Sequence, residues 1–252
     1  MRPAPGGSES KENIVNNIGK HIVKALDMLL NTVLCLAAAL LLFVSGYSLL
    51  DNYYIHQQAQ DPSLLAYKPS LSGQDKAALM ITLDEQVAWL CIDDSYIDFP
   101  VMQGATNFDY LNKDPYGDFQ LSGSIFLDCT NNPDMTDDFM MIYGHHMEHN
   151  NMFGSLDMLT DEEYFEKHKS GWIATKNGIF ILDLFAVCWG KGDDWTIFIP
   201  NNRTAEDVLP YIQEHAVIYT EYEPGTQIVA MSTCAGETTS SRLIVFAMMK
   251  ER

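Results

Sequence analysis

The feature that most constrains this chain is a stretch of 23 residues, 28–50, without a charged side chain. As an α-helix it would be roughly 35 Å long, against about 30 Å for the hydrocarbon core of a bilayer. A buried core helix and a cleaved signal peptide are the alternatives. A signal peptide has an apolar region of only about 7–15 residues, and this stretch is longer and lies far from the N-terminus. The sequence therefore predicts an uncleaved transmembrane signal anchor at 28–50.

Lysines predict the orientation of this anchor. Lys11, Lys20 and Lys24 lie on its N-terminal side, whereas residues 51–61 contain no Lys or Arg. Positive flanks stay in the cytoplasm. We therefore expect a single-pass membrane protein with a cytoplasmic tail at 1–27 and an extracellular main domain at 87–252. Between them, residues 51–86 are expected to form a stalk and N-terminal helices, with a helical pattern at 74–86.

Composition narrows the choice of partners. Apolar residues make up 47% of the chain, enough for a packed core, and the net charge is −19. Residues 51–252 hold 11 basic and 31 acidic side chains. Nucleic-acid affinity depends on neutralising phosphates with Lys and Arg, so nucleic acid is not expected as a partner. The acidic balance is compatible with a basic peptide or an amine as substrate.

Short apolar runs separated by turn residues predict a mainly β domain with accessory helices. A closed barrel suits eight such strands, because closure leaves no edge exposed. The predicted strands lie at about 87–93, 97–103, 123–128, 138–143, 172–176, 179–189, 226–233 and 242–249. The predicted helices lie at 107–112, 152–159, 161–169 and 204–215, the last with Thr204 as N-cap.

Chemistry-bearing residues stand where two apolar runs near the C-terminus end and begin. Cys234 closes the run I-V-A-M-S-T-C, and Arg242 opens the run R-L-I-V-F-A-M. On neighbouring strands, the thiol and the guanidinium would meet at one end of the sheet. A thiol beside a fixed cation ionises more readily and becomes a nucleophile. A structural Cys followed by a surface Arg is the alternative.

A third run, F-M-M-I-Y-G-H-H-M-E-H-N from residue 139, ends at Gly144 and is followed at once by His145. Together with S-T-C, the loop and Arg242, this order resembles the sortases. The similarity extends over about 87–252, and Y-G-H-H-M and T-A-E-D-V-L-P-Y-I-Q-E-H look most like class B. The resemblance implies an eight-stranded closed sortase β-barrel, with Cys234 as nucleophile, His145 as general acid and base, and Arg242 holding the substrate carbonyl.

The resemblance also implies a substrate class. Asn107 and Leu111, in N-F-D-Y-L, match the class B stretch that touches the sorting peptide; Ser232 and Thr233 precede the nucleophile. A cysteine transpeptidase of this kind cleaves a C-terminal sorting motif of secreted proteins after Thr. It then transfers the acyl group to an amine of the peptidoglycan precursor or to a pilin Lys. Specificity is expected in the segment 195–219, and no cofactor is implied.

Other functions remain open at this stage. A membrane-tethered thiol peptidase would use the same residues with water as acceptor, and a non-catalytic wall-binding module would use none of them. The run H-H-M-E-H also satisfies the zinc pattern H-x-x-E-H through His145, Glu148 and His149. That pattern needs a helix, which the β-like run before it argues against, and no distal third ligand is evident. No metal is therefore expected.

The four remaining cysteines are Cys35, Cys91, Cys129 and Cys188. They show no C-x-x-C pair and no zinc-ribbon spacing. Cys91 and Cys188 lie within strand-like runs, where a cysteine is most simply a small buried apolar residue. A disulfide between these two is possible outside the cell, since sequence does not fix connectivity.

Overall fold

The computed structural model describes residues 8–59, 61–70, 83–234 and 241–252; it describes residues 8–15 and Cys234 through their backbone alone. The chain divides into two compact units, Met1–Tyr54 and Ile55–Arg252.

Most of the first unit belongs to helix α1 (Ser8–Gln58). Among the described residues, α1 is the one helix long and apolar enough, by length and composition, to cross a membrane. Its large apolar side chains are exposed, for example Leu42 at 74% and Phe43 at 73%. The predicted apolar helix at 28–50 is therefore present, as the middle part of a longer helix that begins at Ser8.

Nine strands form the framework of the second unit in the residues that the structure describes. They are β1 (Gln86–Ile92), β2 (Asp98–Met102), β3 (Ile125–Leu127), β4 (Phe139–Gly144), β5 (Ser170–Thr175), β6 (Gly178–Lys191), β7 (Ala216–Tyr219), β8 (Gln227–Cys234) and β9 (Ser241–Glu251). Eight of them match the predicted strands to within a few residues. β7 was not predicted, because it has only four residues and alternates between half-buried and exposed.

Eight of the strands close into a barrel. Their order is β5-β1-β2-β3-β4-β8-β9-β6, and β6 pairs back with β5. β7 is a ninth strand outside the closed barrel, and it pairs with residues 186–188 of β6. Most neighbours are antiparallel, but β2 and β3 are parallel, as are β4 and β8. The predicted eight-stranded closed β-barrel is thus confirmed.

The strands read as continuous apolar runs because both of their faces are covered. Along β4, Met140 and Ile142 belong to the cluster that fills the barrel, whereas Phe139 and Met141 belong to an outer cluster. Helix α3 (Ala205–His215) covers this outer face with Val208, Tyr211 and Ile212. On the opposite side, a 3-10 segment (Pro62–Tyr67) places Leu64 against Trp89 and Trp172 of β1 and β5.

Three of the predicted helices correspond to helical segments of the structure. α3 begins at Ala205 after Thr204, whose backbone N–H donates to the Asp207 carboxylate at 2.9 Å, so Thr204 is the N-cap as predicted. The helix predicted at 161–169 is the shorter α2 (Glu162–Lys167). The one predicted at 152–159 is a 3-10 helix, Phe153–Thr160.

Two further helix predictions need correction. Residues 107–112 form turns rather than a helix. Asp109 accepts hydrogen bonds from the backbone and hydroxyl of Thr106, and Leu111 N–H bonds to the carbonyl of Phe108, so the chain is held in tight turns. The helix predicted at 74–86 lies mostly outside the described residues; 83–85 form a bend and turn leading into β1.

The possible disulfide between Cys91 and Cys188 is absent, since both are free. Cys91 lies with Trp89 and Trp172 beneath the 3-10 segment, whereas Cys188 lies in the cluster under α3. Burial raises the pKa of each thiol to about 12. Both are therefore packed as small apolar side chains in separate parts of the core.

Candidate active site

Three strand ends form the floor of the candidate site. β4 runs parallel to β8, with Gly144 paired to Thr233, and β8 runs antiparallel to β9, with Cys234 paired to Arg242. The carboxyl ends of β4 and β8 and the start of β9 therefore lie at one end of the barrel. This register places the backbone of Cys234 between Arg242 and the strand that leads to His145.

A cleft of about 350 Å³ opens beside these strand ends. Six of the seven residues that the sequence assigned to the site lie in its wall, and Cys234 adjoins them through its backbone. The described lining residues are Asn107, Phe108, Leu111, Phe126, Tyr143, Gly144, His145, Gly192, Phe198, Ser232, Thr233 and Arg242.

His145 is held by the backbone of the turn that was expected to be a helix. Its Nε2 lies 2.8 Å from the carbonyl oxygen of Leu111. A carbonyl only accepts, so Nε2 carries a proton and donates it, and the neutral ring keeps its lone pair on Nδ1. Leu111 thus contributes a backbone carbonyl that fixes the tautomer of His145.

Gly144 precedes His145 for a packing reason. A Cβ at this position would lie 2.5 Å from Cδ1 of Ile125 and 2.8 Å from the ring of Phe153. Phe153 is fully buried, so its ring has little room to move. Glycine therefore lets the end of β4 pack closely against the 3-10 helix and deliver His145 to the cleft.

Arg242 presents a half-buried guanidinium to the cleft. Its Nη1 is buried and has no hydrogen-bond partner among the described residues. Burial lowers the pKa of Arg242, and the nearby Tyr143 opposes that shift. Gly192 lies close to the guanidinium: a Cβ added to Gly192 would be 3.1 Å from Nε of Arg242. A buried cation with a free donor is suited to an oxygen that carries or develops negative charge.

Ser232 and Thr233 lie at the end of β8 and are almost fully buried, at 1% and 2% exposure. The Ser232 hydroxyl is buried without a hydrogen-bond partner in the described part of the chain. Both residues line the cleft next to the backbone of Cys234. That they border the substrate stays a prediction.

Asn107 is oriented by a buried carboxylate that sequence reasoning missed. Asp128, 1% exposed, accepts hydrogen bonds from Asn107 Nδ2 at 2.8 Å and from the Tyr143 hydroxyl at 3.0 Å. The backbone N–H of Cys129 donates to Asn107 Oδ1 at 2.7 Å. The one sequence signal for Asp128 is its place directly after the run I-F-L, at the end of the predicted strand 123–128.

Tyr143 was likewise not singled out, although it lies directly before Gly144. Burial raises its pKa, and the neighbouring Asp128 raises it further. Its ring lies 5.4 Å from that of Phe126 and stacks on Phe198 at 6.4 Å between centroids. Phe198 belongs to the segment between β6 and α3, so that segment contributes to the aromatic wall of the cleft.

The zinc pattern H-x-x-E-H does not form as a unit. Residues 145–149 are not helical, and His149 has a left-handed backbone with φ of 59°. His146 Nε2 lies 2.7 Å from the Asp157 carboxylate, on the surface. His145 therefore belongs to the cleft and is separated from the rest of the pattern.

Comparison with known proteins agrees with this geometry. The family model "Sortase domain" matches residues 90–250. The chain belongs to the sortase family. It is 30% identical over 167 residues to Sortase B of Staphylococcus aureus, covering 64% of this chain and 68% of that protein.

Solved sortase structures show the same fold. A Streptococcus pyogenes class B sortase involved in pilus biogenesis is 32% identical, with a TM-score of 0.62, covering 77% of this chain and 100% of that one. A Staphylococcus aureus sortase B–substrate complex is 25% identical, with a TM-score of 0.63, covering 82% and 98%. Sortases are cysteine transpeptidases that act on sorting-motif substrates to anchor surface proteins or pilins, so this chain is a class B sortase-type cysteine transpeptidase.

Proposed function

We propose that this sortase cleaves a C-terminal sorting motif of secreted proteins after Thr and transfers the acyl group to an amine, with Cys234, His145 and Arg242 as its catalytic residues. The observation that carries the proposal is the register of three strands. Cys234 pairs with Arg242, and Gly144, which directly precedes His145, pairs with Thr233. The strand ends that carry Cys234, His145 and Arg242 therefore lie at one end of the barrel, beside the cleft.

The first half-reaction forms a thioester. The thiol proton of Cys234 passes to Nδ1 of His145, and the thiolate attacks the carbonyl carbon of the scissile peptide bond. As the C–N bond breaks, the Nδ1 proton goes to the departing amine. The Leu111 carbonyl accepts from Nε2–H throughout, which confines proton transfer to Nδ1.

The second half-reaction transfers the acyl group. An incoming amine attacks the thioester, Nδ1 takes its proton, and the thiolate leaves. In both steps, negative charge develops on the substrate oxygen. Nη1 of Arg242, which has no hydrogen-bond partner in the described part of the chain, is a buried donor suited to stabilise that charge. Asn107, Leu111, Ser232 and Thr233 border the sorting peptide in this proposal.

The acceptor in this proposal is an amine of the peptidoglycan precursor or a pilin Lys. The excess of acidic side chains after residue 50 supports an amine or a basic peptide as partner. The chain itself is organised as a cytoplasmic tail at 1–27, a signal anchor at 28–50, a stalk at 51–86 and an extracellular catalytic domain at 87–252. Support for this layout comes from the exposed apolar part of α1 at 28–50 and the lysines on its N-terminal side.

Intact-mass spectrometry tests the chemistry directly. The protein is incubated with a library of secreted-protein C-terminal peptides, and the expected adduct on Cys234 equals the peptide up to its Thr. Adding a lysine peptide should convert the adduct to a ligated product. Release of free acid alone at saturating lysine peptide would favour the peptidase alternative, and absence of any adduct across the library would contradict the proposal.

The orientation of the anchor is tested in intact cells. Protease added outside should cleave the region after residue 50 and leave residues 1–27 protected. Protection of the barrel until the membrane is breached would show the opposite orientation, because the lysine asymmetry is the basis of this assignment.

A further inference from the structure

Three potential metal ligands meet on the surface of the barrel unit. The ligand atoms of His56, Glu148 and His149 all lie within 4.8 Å of one another. None of the three lines the cleft described above. We propose that these residues form a binding site for a divalent transition metal of the zinc type, outside the active site.

The donor set points to this class of metal. Two imidazoles and one carboxylate are ligands of zinc sites, with the fourth position open to water. Calcium and magnesium prefer sites made of oxygen atoms alone. Zinc–ligand bonds of about 2.0–2.1 Å require the ligand atoms to approach by roughly 1 Å from their present separation. Glu148 and His149 are exposed and His56 is half-buried, so their side chains can make this movement.

The backbone of the loop turns His149 toward His56. His149 and Asn150 are both left-handed, each with φ of 59°. The rings of His56 and His149 lie edge to face, with centroids 5.1 Å apart and an interplanar angle of 65°. Glu148 stands next to this pair along the chain and offers the carboxylate.

Asn151 supplies a partner for the His56 ring. It is 3% exposed, and its Nδ2 lies 3.1 Å from His56 Nδ1 and 3.4 Å from the His56 carbonyl oxygen. A half-turn of this amide presents Oδ1 to Nδ1 instead. Oδ1 then accepts Nδ1–H and leaves the Nε2 lone pair of His56 for the metal, an arrangement common in zinc-bound histidines.

The residues of the pattern H-x-x-E-H belong to two different sites in this proposal. His145 belongs to the cleft, whereas Glu148 and His149 join His56, which lies in the last turn of α1, far earlier in the chain. His146, on the same loop, is engaged by Asp157 and does not belong to the cluster. A bound metal would tie the chain just before the barrel to the loop that follows His145.

Zinc titration of the full-length protein in detergent micelles tests the site. The parent carries Cys234→Ala, so that the active-site thiol takes no metal, and it is first treated with a chelator. Calorimetry should show one Zn²⁺ bound per chain, and His56→Ala and His149→Ala should each weaken binding by at least about 100-fold, the upper end of what loss of an outer partner costs. His146→Ala is the matched control and should bind as the parent does.

Two further readouts keep the test decisive. Zn²⁺ should raise the Tm of the parent but not of His56→Ala, because a ligand that binds only the folded state stabilises it. Co²⁺ should give the d–d absorption of a nitrogen and oxygen site without thiolate charge-transfer bands. If His56→Ala lowers the Tm in chelator, His56→Gln replaces it as the test variant.

The proposal is overturned if the parent binds no Zn²⁺, if His56→Ala and His149→Ala bind it as tightly as the parent, or if Co²⁺ reports thiolate ligation. All of these measurements are made in the Cys234→Ala background. Their outcome is therefore independent of the proposed transpeptidation.

Discussion

Two cysteines of the barrel pair with the same strand at different places along it. Cys188 pairs with Ile244 in the body of β9, whereas Cys234 pairs with Arg242 at its start. Cys188 lies beneath α3, with its Sγ 3.6 Å from the Ile212 carbonyl. Burial raises the pKa of that thiol to about 12. The comparison teaches that a thiol in the body of the sheet is packed as core, whereas the end of a strand is where we propose that a thiol serves catalysis.

The two cysteines should respond oppositely to deletion, and this is the largest effect we expect. Cys234→Ala should abolish both turnover and the acyl-enzyme, because Cys234 is the proposed nucleophile and no thiol among the side chains that the structure describes lines the cleft. Cys188→Ala should retain turnover and lose about 1 kcal/mol of stability, as is typical of a buried substitution. Turnover with a cleavable peptide and urea unfolding measure the two. Turnover in Cys234→Ala, or an acyl adduct on another cysteine, would reverse the comparison.

The role of Arg242, the cation paired with Cys234, is tested by replacing it with lysine. Arg242→Lys keeps the charge but loses the planar fork of donors. We expect kcat to fall by about 100–1000-fold, or about 3–4 kcal/mol, as for loss of one oxyanion donor. KM should change much less, because the missing interaction strengthens in the transition state. Steady-state kinetics on a cleavable peptide measure both constants.

The pH dependence of Cys234 alkylation is the control for that variant. A pure charge effect on the thiolate survives in Arg242→Lys, so its alkylation profile should stay near that of the parent. A kcat close to the parent value would make Arg242 a bystander, and the catalytic set would shrink to His145 and Cys234.

Asp128→Asn should disturb the catalytic end of the barrel and leave the Cys188 region intact. An amide replaces one carboxylate oxygen with a donor, which then faces either the donors of Asn107 and Tyr143 or the hydroxyl of Thr130. Loss of a hydrogen bond to a charged group costs about 1.5–3 kcal/mol, and kcat/KM should fall as Asn107 loses its orientation. Thermal unfolding and peptide kinetics report the two effects.

Asp183→Asn is the matched control, because Asp183 meets Lys250 at 3.3 Å on the surface. Its effect should stay below about 1 kcal/mol. Equal losses in the two variants would mean that the buried position of Asp128 carries no special weight.

Alkaline pH provides the smallest and most specific test. The folded-state pKa of Cys188 is raised from 9.0 to about 12. Its contribution is therefore fully present below pH about 9 and is lost as the pH rises toward 12, because the unfolded chain releases its proton first. One such thiol steepens the fall in unfolding free energy by about 1.4 kcal/mol per pH unit. Urea unfolding at pH 8, 9 and 10 should show this slope in the parent and a shallower one in Cys188→Ala. Parallel slopes would contradict the assignment.

The barrel strands could be predicted because burial on both faces leaves a direct mark, an unbroken apolar run such as that of β8. β7 leaves no such mark, since every second residue of Ala216–Tyr219 is exposed. The turns at 107–112 were taken as a helix because apolar spacing alone does not reveal that Asp109 bonds back to Thr106. Local pattern therefore predicts covered strands well and short connections poorly.

From the residues alone, the candidate site was predictable where it sits at strand ends, whereas Asn107 and Leu111, which lie in turns, came from the family resemblance. Gly144, His145 and Arg242 each stand at the boundary of an apolar run, so their convergence followed once the strands were neighbours. Asp128 and Tyr143 meet through side-chain hydrogen bonds across separate segments. His56 meets Glu148 and His149 across an even greater separation. No local periodicity encodes such meetings.

The parallel pairing of β4 with β8 also has a consequence for how the protein is made. A 3-10 helix, α2, β5, β6, α3 and β7 lie between these neighbours in sequence. Pairing them therefore requires closure of a long loop before any contact between them can offset its entropic cost. Contacts of high sequence separation form slowly. His145, Cys234 and Arg242 are therefore assembled late, after the C-terminal strand has been synthesised and paired. In the proposed mechanism, a nascent chain therefore carries a thiol without its catalytic partners, and transpeptidation begins only with the completed barrel.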